Sequence, residues 1–408
     1  MNYARLVPRD SFIGEYMLMC SPLETPSEYD FWTAVWALGT CVGRGVYVPR
    51  PHSPIHMNWY VMLVSESGVT RKSTAIRMSR DTVSEVLSDA HLLEGRATPE
   101  HLFDRLAQQP HIGIAVSELV TFLGRESYVI ELPAMLTDLY DCPKMRTGGS
   151  VSRGQRVIEN AFVTFISAST PSWLVGAVNP SVIEGGFTSR CIFVHAEKPK
   201  QRVPWPSVAT TITECATQLQ SCIARAREVE RIELMPAAMR RYQSWYRQRD
   251  TLTSDPFLAS FYGREDSHVL RLAATLAIND GSLAIDLNHL NKAIRVIALA
   301  KAGALQVFSA RGTSVRMAQG IDRITRLLIE AGAVGVPHTP MYASVRHFMS
   351  AEDFRIVMEY MNELGMVRIG IEGRTGQRRG GPRARRYFRT DKTTHREKVD
   401  ALRGAVLN

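Results

Sequence analysis

Two kinds of apolar run alternate along the first half of the chain. Helix-like spacing occupies residues 10–44, where Phe12, Tyr16, Met17 and Met19, then Phe31, Val35, Trp36 and Leu38, recur at helical intervals. Residues 58–64, 112–116, 162–166 and 191–195 are instead short, continuous apolar stretches of strand length. Between them lie an amphipathic stretch from 73 to about 90, a helix opening at Thr98 as N-cap with Pro99 in its first turn, and a helix near 133–140. This alternation predicts a mainly parallel α/β sheet ending near residue 197.

The second half reads differently. Residues 198–206 are proline-rich and charged, the composition of a linker. Residues 209–308 show three or four helical patterns and no convincing strand. After Arg311-Gly-Thr-Ser314 the pattern predicts a separate unit: a helix over 318–331, helices near 342–348 and 351–364, and a β-hairpin of 366–371 with 384–388. Helices followed by a basic hairpin predict a winged-helix domain. The expected division is an N-terminal helical segment (1–45), an α/β core (46–200), a helical lid (207–310), the winged helix (316–390) and a tail (391–408).

The 408 residues are 45% apolar and 22% charged, ordinary globular usage, and no apolar run is long enough to span a bilayer. No export signal is legible at the N-terminus, so a cytoplasmic location without a membrane partner is expected. Six widely spaced cysteines match neither a zinc cluster nor a disulfide framework and read as small buried hydrophobes. The net charge of +9 is concentrated. Residues 368–389 hold eight arginines, Arg378, Arg379, Arg383, Arg385 and Arg386 among them, against Glu372 alone. A sparser basic stretch runs over 144–156.

Chemistry enters at the loop after the first core strand, Ser65-Glu-Ser-Gly-Val-Thr-Arg-Lys-Ser-Thr74. Strand, polar loop and helix in this order look like a phosphate-binding P-loop, the plain alternative being a polar turn between a strand and a helix. Backbone N–H groups from Ser67, Gly68, Val69, Thr70, Arg71 and Thr74 would wrap phosphate oxygens, Lys72 would neutralise charge and Ser73 would hold Mg²⁺. The usual glycines are missing at Glu66 and Arg71. Strand 112–116 ends in Ser117-Glu118, where Glu118 suits the polarising of an attacking water and Ser117 stands in the usual metal-side aspartate position. Thr170, in a hydroxyl cluster closing the 162–166 strand, suits contact with a γ-phosphate. Arg190, just before the last core strand, suits an arginine finger reaching a neighbour's nucleotide, and Arg271 suits contact from the lid.

These pieces, in this order over residues 27–390, resemble AAA+ P-loop ATPases, and more closely the primase/helicase-like proteins of phages, plasmids and other mobile elements. The stretch around Arg271, followed by 285–295, is similar to the lid of minichromosome-maintenance helicases, which implies a phosphate-sensing role for Arg271. The resemblance implies a P-loop NTPase (AAA+/RecA-like) core with an α-helical lid and a C-terminal winged helix. It also implies a pore hairpin between the Glu118 and Thr170 strands, so Lys144, Arg146, Arg153 and Arg156 would face nucleic acid.

The expected function is an ATP- and Mg²⁺-dependent, ring-forming and hexameric translocase or helicase on single-stranded DNA, replicating a mobile element with a separate primase or loader. The winged helix could take duplex DNA through its arginines. The rival expectation is an ATP-gated DNA-binding initiator or regulator, favoured by Arg71 and Ser117; a metabolic kinase would leave the basic wing unexplained.

Overall fold

A computed structural model describes residues 3–123, 128–150, 154–171, 173–174, 186–249, 256–363, 366–371 and 385–390. The chain divides into two compact units, Met1–Val307 and Phe308–Asn408.

In the first unit, helices α1 (Phe12–Cys20) and α2 (Ser27–Val42) precede an antiparallel pair, β1 (Tyr47–Val48) and β2 (Ile55–His56). Then come β3 (Tyr60–Val64), α3 (Lys72–Ser84), β4 (Leu92–Leu93), α4 (Pro99–Gln108), β5 (His111–Val116), α5 (Leu119–Leu123) and α6 (Tyr128–Tyr140). A hairpin, β6 (Met145–Ser150) with β7 (Gly154–Glu159), is followed by β8 (Phe162–Ser169), α7 (Phe187–Arg190) and β9 (Cys191–His195).

The main sheet is all parallel, in the order β4-β5-β8-β3-β9. Every residue of β3 and β8 is buried, as expected of central strands covered on both faces. Val64 stands level with Ser169 and His195, so the C-terminal ends of β3, β8 and β9 share one edge. From β3 the chain crosses toward β4, whereas from β8 it crosses past β3 to β9. Such a reversal opens a crevice at the strand C-termini.

The N-terminal helices belong to this core. Every residue of α2 from Tyr29 to Val42 is buried, and a helix apolar all round is a central one. Gly39 lets it approach the sheet: a Cβ there would collide with the Met57 carbonyl. The segments expected as N-terminal helices, core and lid therefore form one compact unit. All six cysteines are free and buried, as their spacing predicts.

The rest of the first unit is helical: α8 (Ile212–Arg227), α9 (Pro236–Gln248), α10 (Pro256–Asn279) and the start of α11 (Leu287–Ala331). It also holds a short parallel pair that the sequence pattern does not reveal, β10 (Glu233–Leu234) with β11 (Ala284–Ile285), two residues each being too few for a period. The segment read as a linker is anchored through Lys200, whose Nζ donates to buried Asp30 at 2.6 Å and to the Cys20 carbonyl. The separate unit expected after 311–314 is present, beginning at Phe308, but the helix expected over 318–331 starts much earlier, since α11 continues through 311–314. One glycine costs a helix only about 1 kcal/mol, which flanking residues outweigh.

In the second unit the end of α11 packs with α12 (His338–Val345) and α13 (Ala351–Glu363) around Ile324, Leu328, Phe354 and Tyr387. Its antiparallel sheet has the order β12 (Val336–Pro337), β14 (Arg385–Arg389), β13 (Val367–Ile371), with Ile369 opposite Tyr387. The expected hairpin strands pair as read. Its turn, with Arg378, Arg379 and Arg383, lies outside the described residues, as does Arg153 between β6 and β7.

Candidate functional site

The loop from Ser65 to Arg71 leaves the C-terminal end of β3 and delivers the chain into α3 at Lys72. Gly68 has φ +76° and Arg71 φ +54°, both left-handed. For an arginine this conformation costs about 1–2 kcal/mol, so the backbone keeps the turn that glycine would make at the missing position. The Arg71 Nε donates to Glu24 at 2.7 Å, and the other Glu24 oxygen accepts the Val203 N–H. Inside the loop, Thr70 is fully buried, its hydroxyl against those of Ser65 and Tyr29, while the Tyr29 hydroxyl donates to the Val64 carbonyl at 2.7 Å. Buried α2 thus buttresses the loop from beneath.

Lys72 Nζ folds over this loop, donating to the Ser65 carbonyl (2.7 Å), the Ser65 hydroxyl (2.9 Å) and the Glu66 carbonyl (3.0 Å). Burial pulls its pKa below the usual lysine range, against the opposing pull of the Glu66 and Glu118 carboxylates. The Thr74 N–H donates to the Arg71 carbonyl at 3.0 Å, while the Lys72 and Ser73 N–H groups before it lie at the positive end of the helix dipole, where no preceding turn offers an acceptor.

The cleft above holds about 390 Å³. Ser67, Gly68, Arg71, Lys72, Ser73 and Thr74 form one wall, Ser117, Glu118, Leu119 and Val120 after β5 a second, and Ala168, Ser169, Thr170 and Trp173 after β8 a third. Three segments spread over more than 100 residues meet here because β3, β8 and β5 are parallel neighbours. Glu118 and Ser117 are exposed to the cleft. The Thr170 hydroxyl accepts the Trp173 N–H at 3.3 Å, so it also shapes its turn. Val69 and Thr70 do not line the cleft; Thr70 anchors the loop instead.

Arg271, expected to reach the nucleotide from the lid, does not reach this cleft, and Arg190, expected to project into a neighbour's nucleotide, is buried. Arg190 precedes β9 at the end level with Tyr60, opposite the cleft, and turns inward. It donates to Asp141 and to the Gly186 carbonyl (both 3.0 Å) and lies over the Tyr140 ring. Arg271 is 4% exposed, donating to the His56 carbonyl and the Tyr140 hydroxyl and lying over the Trp59 and Tyr140 rings. Both guanidiniums, with Arg264, surround Tyr140. A finger projecting from the edge and a lid sensor are thus replaced by a buried cation–π cluster. No local signal marks its partners, Tyr140 and Asp141, as arginine ligands.

The hairpin between β5 and β8 forms as expected, but its two described arginines are engaged. Arg146 pairs with Asp138 at 3.2 Å and Arg156 with Asp104 at 2.5 Å, tying the hairpin to α6 and α4. Lys144 is exposed. In the second unit Arg385 is exposed, while Arg386 donates to the Val334 carbonyl.

No family model matches the chain, and no curated protein matches it. Among the described residues no group of three or more His, Cys, Asp or Glu side chains could hold a metal ion, and no helix is long and apolar enough to cross a membrane. Among the described residues the cleft offers instead one lysine, one arginine, N–H groups at a helix start, hydroxyls and a carboxylate, a set chemically able to take phosphate oxygens and to accept a proton.

Proposed function

We propose that the protein is a nucleoside-triphosphatase, an ATP-driven translocase on single-stranded DNA of the AAA+ primase/helicase-like kind. The observation behind this reading is the meeting of Lys72, Ser73, Glu118 and Thr170 in one cleft at the C-terminal ends of three adjacent parallel strands. Triphosphate entry would draw the Lys72 ammonium from the Ser65 and Glu66 carbonyls to phosphate oxygens, while the first N–H groups of α3 donate to them. Glu118 would orient a water and take its proton, and the Thr170 hydroxyl would meet the terminal phosphate. Magnesium bound to the phosphates would offset their charge; Ser73 and Ser117 would supply hydroxyls for it, and with no metal-holding cluster among the described residues the phosphates and waters would provide most ligands.

DNA as partner is supported by the net charge of +9, the exposed Lys144 at the base of the hairpin and the arginine-rich end of the second unit, whose helices and three-stranded sheet suit a winged helix. A hexameric ring would bring hairpins together around one strand. The rival, an ATP-gated DNA-binding regulator, is favoured by Arg190 and Arg271 being turned away from the cleft. Without them Arg71 is the one arginine among the described residues that lines it, so on those residues turnover would call for a further cation, from a neighbouring subunit or another part of the chain.

The test is phosphate release with and without single-stranded DNA. Lys72→Ala should abolish nucleotide binding, and Glu118→Gln should keep binding while slowing hydrolysis by about 10²–10⁴-fold. Hydrolysis at the wild-type rate in both variants would end the assignment. Nucleotide binding with tight duplex binding and no DNA-stimulated release would select the regulator.

A further inference from the structure

Helix α9 (Pro236–Gln248) is the least buried long helix of the first unit. Ala238 alone is buried, and Tyr242 and Trp245 hold it to the core. Its outer face has an ordered composition. At 100° per residue, Met239, Gln243 and Tyr246 form one row and Arg240 and Arg247 the row beside it. Met239 is 40% and Tyr246 46% exposed. The Arg249 guanidinium backs Tyr246, 4.2 Å from its ring centroid.

Charge within this helix is of one sign. Residues 236–248 contain Arg240, Arg241 and Arg247 and no acid, with Arg249 and Asp250 just beyond its end, whereas a helix kept only for solubility interleaves Glu at i±4. Arg241 donates to Asn291, and Arg249 to the Tyr262 carbonyl. Arg240 and Arg247, both exposed, have no hydrogen-bond or ion-pair partner among the described residues. Two free guanidiniums on Cα positions about 10 Å apart along the helix, beside a cation-backed aromatic ring, complement a strand that carries phosphates on one side and stackable rings on the other.

We propose that the outer face of α9 is a single-stranded DNA contact, with Arg240 and Arg247 on phosphates and Tyr246 stacking a base. The contact is separate from the hairpin and from the arginine-rich end of the chain. It rests on the proposed function only for the choice of DNA as ligand, and needs no nucleotide. An acidic protein surface could satisfy the arginines but has no use for a half-exposed tyrosine ring in the row beside them.

The experiment is fluorescence anisotropy of a labelled 30-nucleotide oligo(dT) with the full chain, without nucleotide, over a salt series. Arg240→Gln/Arg247→Gln should weaken binding about tenfold and lower the slope of log affinity against log salt by about 1.4. Tyr246→Ala should weaken it about tenfold, with Tyr246→Phe restoring it. DNA-independent hydrolysis should be unchanged in all three, which separates a lost contact from a lost fold. Bromodeoxyuridine in the oligonucleotide should crosslink to the peptide containing Tyr246. If wild type binds oligo(dT) and these variants match it in affinity and slope, the helix is not a DNA contact, while the proposed function stands. If wild type does not bind, the DNA-translocase reading fails and this contact with it. Equal losses for polyglutamate and oligo(dT) would assign the face to any polyanion and overturn the stacking role.

Discussion

Arg71 occupies a left-handed backbone position that glycine fills at least cost, and its side chain pairs with Glu24. Lys72 beside it is legible from sequence because strand, loop and helix are contiguous. Arg190 and Arg271 are not, because their directions depend on Asp141, Tyr140 and His56, which are distant in the chain. Buried titratable groups allow a pH prediction. Burial pushes His56 and His111 down to about 4 and His268 to about 3, from a usual 6.5. The unfolded chain then binds more protons than the folded one as pH falls below 6.5, so stability is lost from there downward. Asp30, raised by burial to about 6, acts oppositely, adding stability as pH falls from 6 toward 4. Three histidines outweigh one carboxyl, so urea unfolding between pH 7 and 4.5 should show stability falling with a net uptake of about two protons on unfolding. His268→Gln should reduce that uptake, and a flat profile would contradict the burial of these rings.

At the scale of elements, capping residues are the most faithfully legible signals. Thr98 accepts the His101 N–H at 3.1 Å and Pro99 opens α4, as the sequence predicts. Thr98→Ala should cost about 1 kcal/mol, read as a lowered urea midpoint with unchanged slope; no change would mean that water caps the helix as well. The hairpin is legible in place but not in orientation: Arg146 and Arg156 meet Asp138 and Asp104 on helices, so its base is fixed to the core. Continuity of α11 through Gly312 shows the limit of punctuation signals, for a single glycine is a weak breaker within a long helix.

At the scale of the molecule, the second unit has a core of its own, which makes its stability separable from the cleft. Phe354→Ala, at 1% exposure, should cost that unit about 3–5 kcal/mol, lowering one calorimetric transition while ATP binding by the first unit keeps its affinity. Loss of nucleotide binding in this variant would show that the units do not fold independently.

The sequence by itself determined the parallel core strands, the loop bearing Lys72, the acid after β5 and the hairpin strands of the second unit. All are local: continuous apolar runs need cover on both faces, and a polar turn between strand and helix presents free N–H groups wherever it occurs. Only the tertiary structure decided that α2 is a central helix, that the cleft gathers three loops, and that Arg190 and Arg271 turn toward Tyr140 instead of phosphate. A long cation swings through several ångströms about its Cα, and its direction follows whichever carboxylate, carbonyl or ring the fold brings within reach.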